Sequence, residues 1–225
     1  MAKDEPNQGN ATAGASALEG LSGAAMRAQG AGLPPVHLWN PPFCGEIGMR
    51  IARDGTWFYQ GSPIGRPAMV RLFSTILRKD PDRFVLVTPV EKVAIEVEDA
   101  PFLAVQMIVD GGEAAPVLRF ATNVGDIVTL DAAHPLRFEP GPSGGLKPYL
   151  LVRGGLEALV SRPLFYDLAA RGETRDIAGR AMYGVASAGE FFVMCAAAEL
   201  EDFPAEPEDS PAEPEDLPAE PEDSP

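Results

Sequence analysis

The sequence predicts an α+β fold: mostly antiparallel β-hairpins with two short amphipathic helices, arranged as two similar packed β-rich units. Three observations carry this prediction. Apolar alternating runs flank tight-turn dipeptides such as Asp54-Gly55, where glycine tolerates a positive φ. Two segments with helical apolar periodicity follow Arg-Pro pairs, Arg66-Pro67 and Arg162-Pro163, and proline suits the first turn of a helix. The order strand, turn, strand, Arg-Pro, helix, strand, turn, strand then occurs twice, at 49–97 and 149–194, which predicts an internal duplication.

Taken in order, residues 33–45 hold four prolines and read as coil. Strands at 49–53 and 56–60 flank the Asp54-Gly55 turn, with Trp57 and Tyr59 on one face of the second. The helix from Pro67 places Met69, Val70, Leu72, Phe73, Ile76 and Leu77 on one side. Residues 84–88 and 92–98 form a second hairpin with Val93, Ile95 and Val97 inward. Residues 102–109, apolar on both faces, read as a central strand, and 117–122, 127–130 and 136–138 continue the β-rich middle. A hairpin over 149–160, a helix bearing Leu164, Phe165 and Leu168, and a hairpin over 182–194 close the folded part.

The domain reading is 1–31 as a disordered or short-helical extension, 32–110 and 111–198 as the two α+β units, and 199–225 as a disordered acidic tail. That tail is the sevenfold-periodic series DFPAEPE, DSPAEPE, DLPAEPE, with two prolines per repeat and no a/d apolar pattern, so helix is excluded and the segment stays extended and solvated. The chain has 33 acidic and 18 basic side chains, but twelve of the acids lie from Glu199 onward, which leaves residues 1–198 a net charge of only about −3. The tail reads as a solubilising appendage, an acidic lure for a basic partner, or a spacer.

No apolar run reaches the ~18 residues of a membrane span, and no secretory h-region occurs, so the expected location is the cytoplasm. Neither nucleic acid nor a membrane is an expected partner of so acidic a chain. Cys44 and Cys195 supply no disulfide framework, and with two histidines in no metal-ligand spacing no metal or cofactor is expected. Phosphate-loop, dinucleotide and H-E-x-x-H motifs are absent.

The stretches HLWNPPFCGEIGMRIARDGTWFYQGSPIGRPAMVRLFSTIL and FVLVTPVEKVAIEVEDAPF, with HPLRF, KPYLLVRGGLEALVSRPLFYDL and YGVASAGEFF further on, resemble the bacterial domain-of-unknown-function family 1285. The resemblance covers about residues 33–195. It implies an α+β bacterial protein with no established activity, cofactor or catalytic residues.

One polar set stands out for binding. Arg50 and Arg53 on one strand, Trp57 and Tyr59 on its partner, and Arg66 at the helix start combine cations with aromatic faces, with Trp39 able to fold over them. Such a set suits a carboxylate or phosphate. The competing reading has Arg66 and Arg162 paired with acids such as Glu91 and Glu190, tying hairpins to helices. A small anionic ligand or a protein partner is therefore the expected counterpart, in a binding or regulatory module. The alternatives are a hydrolase-like enzyme using Cys44 and His37, seven residues apart, and a purely structural interaction protein.

Overall fold

The computed structural model describes residues 19–27, 32–112, 114–141 and 145–202. The remainder of the amino-terminal extension and the acidic series from 203 lie outside the described residues. Within the extension, residues 19–27 form helix α1. Leu21 and Ala25, one turn apart, enter the core, while Met26 points out at 64 % exposure. At the other end a 3-10 helix, Ala197–Asp202, carries regular structure beyond 198 and packs Leu200 against the core. No described helix is long and apolar enough to cross a membrane.

The first sheet comprises β1 (Phe43–Ile51), β2 (Trp57–Tyr59), β3 (Ser62–Pro63), β4 (Leu77–Lys79), β5 (Phe84–Val87) and β6 (Lys92–Val97), in the order β3-β2-β1-β6-β5-β4. Helix α2 (Pro67–Thr75) connects β3 to β4, with Arg66 extended at its N-cap. The second sheet comprises β7 (Phe102–Asp110), β8 (Val117–Thr122), β9 (Ile127–Thr129), β10 (Leu136–Pro140), β11 (Leu146–Arg153) and β12 (Leu156–Val160), in the order β10-β11-β12-β7-β8-β9. Counted from its own first strand and viewed from the other edge, the second sheet has the strand order of the first. In both, the first and sixth strands pair in parallel at the centre, Ile51 beside Val97 and Ala158 beside Phe102. All other pairings are antiparallel, so each sheet is two meanders joined along one parallel seam.

This repeat corrects the register of the predicted duplication. The matching segments are 43–97 and 102–160, because the hairpins at 149–160 and 182–194 belong to different sheets. The chain crosses between sheets after Val97, so Phe102–Asp110, grouped above with the first unit, is a central strand of the second. The helices do not repeat either. Where α2 links the third and fourth strands of the first sheet, the second has a turn in which Asp131 accepts the N–H groups of Ala133 and His134, each at 2.9 Å. Helix α3 (Arg162–Ala169) instead follows the sixth strand and leads into a third sheet, the meander β13 (Glu173–Ile177), β14 (Arg180–Ser187) and β15 (Glu190–Ala196).

The core forms where apolar faces meet. Trp57, 1 % exposed, stacks on Phe73 of α2 with ring centroids 6.5 Å apart. Tyr59 packs half-buried beside this core, as the shared face predicts. The tip of the β1–β2 hairpin seats on the second sheet: Gly55 has φ +79°, and a Cβ there would meet the Asn123 side chain at 2.7 Å and Leu103 at 3.0 Å. The third sheet is anchored through Ser187, which is fully buried. Its hydroxyl accepts the Leu118 N–H at 2.9 Å and donates to the Leu130 carbonyl at 2.7 Å. Ser187→Ala leaves two buried backbone groups unsatisfied, and chemical denaturation is expected to show a loss of about 1–3 kcal/mol. Ser22→Ala on α1, where the hydroxyl donates only to the Glu19 carbonyl one turn back, is expected to cost less than about 0.5 kcal/mol.

Candidate functional site

The expected binding set divides once folded. Arg50 forms an ion pair with Glu98 and lies 4.4 Å from the Phe58 ring centroid. The backbone N–H of Arg53 donates to the other Glu98 oxygen at 3.0 Å, and its guanidinium is 3.7 Å from Asp99. Both arginines therefore serve the linker between the first two sheets. Trp57 is sealed in the core, where its indole N–H meets no acceptor among the described residues. Trp39 is held beside β4, because Arg78 donates to its carbonyl at 2.7 Å and to that of Val36 at 2.9 Å. Arg66 lines a cleft, and Arg50, already paired with Glu98, lines a groove on the first sheet.

Asp99, missed in the sequence, is the centre of the junction. Its carboxylate, 9 % exposed, receives Lys147 in an ion pair and the Tyr149 hydroxyl at 2.6 Å. Burial raises the carboxyl pKa, but the hydrogen bonds from Lys147 and Tyr149 and the nearby positive charges outweigh it and hold the group below its ordinary value. Burial opposes the Lys147 charge, yet the Asp99 contact leaves that ammonium raised. Burial, with Asp99 beside it, also raises the Tyr149 phenol. At neutral pH the Tyr149 phenol is a hydrogen-bond donor to Asp99.

The other expected pairings do not form. Arg162 donates to the Tyr166 hydroxyl at 3.2 Å, and neither Glu91 nor Glu190 takes part in an ion pair among the described residues. Glu91 instead closes its turn, its carbonyl accepting the Thr88 N–H at 2.9 Å. Cys44 and Cys195 are free thiols. Cys44 is exposed and directs its sulfur to the Pro42 carbonyl at 3.6 Å, while His37 sits exposed in the 3-10 turn Val36–Leu38; no hydrogen bond joins the two. No three metal-ligating side chains gather among the described residues.

The cleft at Arg66 lies between α1, α2 and the β8–β9 turn and has a volume of about 480 Å³, within the range of small-molecule sites. Met26, Met69, Leu72 and Val124 give it an apolar floor and rim, and Arg66, Arg71 and Arg153 its charge. Arg153 closes the inner end, bound to Asp126 and, at 2.9 Å, to the Ser74 carbonyl, with its guanidinium 4.8 Å from the Phe102 ring. Arg66 and Arg71 are exposed, and their guanidiniums enter no hydrogen bond or ion pair among the described residues. Arg71 has no sequence signal beyond its place on the polar side of α2. The hydroxyls of Ser74 and Thr75 donate to helix carbonyls at 2.7 Å each, so neither is poised as a nucleophile. A groove of about 500 Å³ on the first sheet, by contrast, carries Glu46 and Glu96 beside the already neutralised Arg50.

Residues 34–100 match the N-terminal domain of the DUF1285 family, a domain of unknown function, and residues 101–194 match its C-terminal domain. The chain is similar to the crystal structure of a DUF1285 family protein from Silicibacter pomeroyi DSS-3, with 53 % identity and a TM-score of 0.74, over 80 % of this chain and 97 % of that one. A DUF1285 family protein from Shewanella baltica OS155 matches at 27 % identity and a TM-score of 0.44, over 54 % of this chain and 89 % of that one. No curated protein matches the chain.

Asp99→Asn tests the junction. At pH 7 urea unfolding is expected to show a loss of about 1.5–3 kcal/mol, the range for hydrogen bonds to charged groups. Because the folded-state pKa is depressed, that contribution is full above the unfolded carboxyl value near ~3.9 and fades as pH falls through the folded one. The gap between wild type and variant is therefore expected to stay constant from neutral pH to about pH 5 and to narrow below about pH 4.

Proposed function

The chain belongs to the DUF1285 family, and from the geometry of its cleft we propose that it is a small-ligand-binding protein for an amphipathic anion, a carboxylate or phosphate attached to an apolar body. The observation that carries this reading is the combination of two guanidiniums without an ion pair among the described residues, Arg66 and Arg71, with an apolar surface supplied by Met26, Met69 and Leu72. Guanidinium forks suit planar or tetrahedral oxyanions, and the flexible thioethers of methionine accept apolar groups of varied shape. The engaged hydroxyls of Ser74 and Thr75 and the paired Asp126 favour binding over catalysis.

Calorimetry on the full chain tests this with octanoate, octyl phosphate and uncharged octanol. Octyl phosphate is expected to bind, octanol is not, and Arg66→Ala and Arg71→Ala are each expected to weaken octyl phosphate at least about tenfold, one lost charged hydrogen bond apiece. The melting temperature of the free protein should stay unchanged, since neither side chain holds the fold. Equal binding of octanol and octyl phosphate, or indifference to both substitutions, contradicts the reading.

A further inference from the structure

We propose that the same cleft receives the chain's own carboxy-terminal acidic series, residues 203–225, in competition with the small anion. The inference rests on the cleft being an anion site and adds an occupant that every molecule carries. Residues 203–225 hold nine acids and no bases, grouped as Glu-Pro-Glu-Asp at 206–209, 213–216 and 220–223. The rest of the chain has 24 acids and 18 bases, so the series is repelled by the molecule as a whole and needs a local cationic surface to settle on.

Most cations of the described residues are already neutralised. Arg50, Arg53, Arg78, Arg83, Lys92, Arg119, Arg137, Lys147, Arg153 and Arg175 each pair with an acid of this chain. Arg27, Arg66, Arg71, Lys79, Arg162, Arg171 and Arg180 enter no ion pair among the described residues; of these Arg66 and Arg71 line the cleft, whose one acid, Asp126, is taken by Arg153.

Reach is not limiting. The 3-10 helix Ala197–Asp202 packs against the core, and the 23 residues after it, at about 3.1 Å each in the extended conformation that prolines favour, span about 70 Å. A folded chain of this size has a radius of gyration of about 16 Å. Proline also restricts the free segment, so less freedom is lost on docking. The chemistry matches the apolar side too. Leu217 is the one large aliphatic residue of 203–225 and follows Glu215 and Asp216. Those acids suit Arg66 and Arg71, and Leu217 suits the Met26–Met69 surface. Covalent linkage gives such a segment an effective concentration near the millimolar range, enough for a weak contact to compete.

The test uses the full chain and a full-length variant with all nine acids of 203–225 changed to Gln or Asn. The peptide EPEDLPAEPED, added in trans at low ionic strength, is expected to bind the neutralised variant about tenfold more tightly than wild type, where the tethered segment competes. High salt is expected to remove the binding. Adding Arg66→Ala and Arg71→Ala to the neutralised variant is expected to abolish it, and Leu217→Ser in the peptide to weaken it. Equal peptide affinity for wild type and neutralised chain, or peptide binding that ignores the two arginines, overturns the inference. Octyl phosphate on the same proteins separates the two claims. Equal, arginine-dependent octyl phosphate binding in both chains leaves the cleft standing and removes the tail from it.

Discussion

A carboxylate that is 9 % exposed keeps its charge only when donors surround it, and Asp99 meets that condition with groups from both halves of the molecule. Arg53 comes from the β1–β2 hairpin, Lys147 and Tyr149 from β11. The neighbouring Glu98 is held by Arg50 of β1. The segment between the two six-stranded sheets is thus fixed on each side, and the sheets acquire a set orientation. That orientation brings the end of α2 against the β8–β9 turn, where Arg153 joins Asp126 to the Ser74 carbonyl. The cleft beside Arg66 and Arg71 is the space left in front of this second tie, with α1 as its outer wall.

Local features were legible in the sequence because their causes are local. Asp54-Gly55 makes its hairpin whatever surrounds it, and Pro67 with the apolar spacing behind it makes α2. The shared face of Trp57 and Tyr59 follows from strand alternation. What was not legible depends on distant partners. Arg50 and Arg53 look available in isolation, but their acids lie 45 to 48 residues on, in a linker with no motif of its own. The repeat was visible in kind and misplaced in register. The hairpins at 149–160 and 182–194 look alike as sequence, and only the parallel seams β1–β6 and β12–β7 reveal which six strands belong together. Arg71 gave no sign because a cation on the outer side of an amphipathic helix is ordinary until a neighbouring turn converts that side into the wall of a cleft.

Charge follows the same logic at a larger scale. The formal net charge of −15 describes a molecule hostile to anions, yet it averages over a core whose arginines are mostly neutralised pair by pair and a terminal series of acids. Binding depends on the few cations that pairing leaves over. Two of them, Arg66 and Arg71, lie beside methionines, which is why the chemistry favoured is an anion with an apolar body and not a bare inorganic ion.

The most direct test of that account is a crystal structure of the full chain grown with octyl phosphate. The account predicts the phosphate between the guanidiniums of Arg66 and Arg71 and the alkyl chain along Met26, Met69 and Leu72. Ligand density on the acidic face of the first sheet or at the Asp99 junction, with the α1–α2 cleft filled only by water, would contradict it.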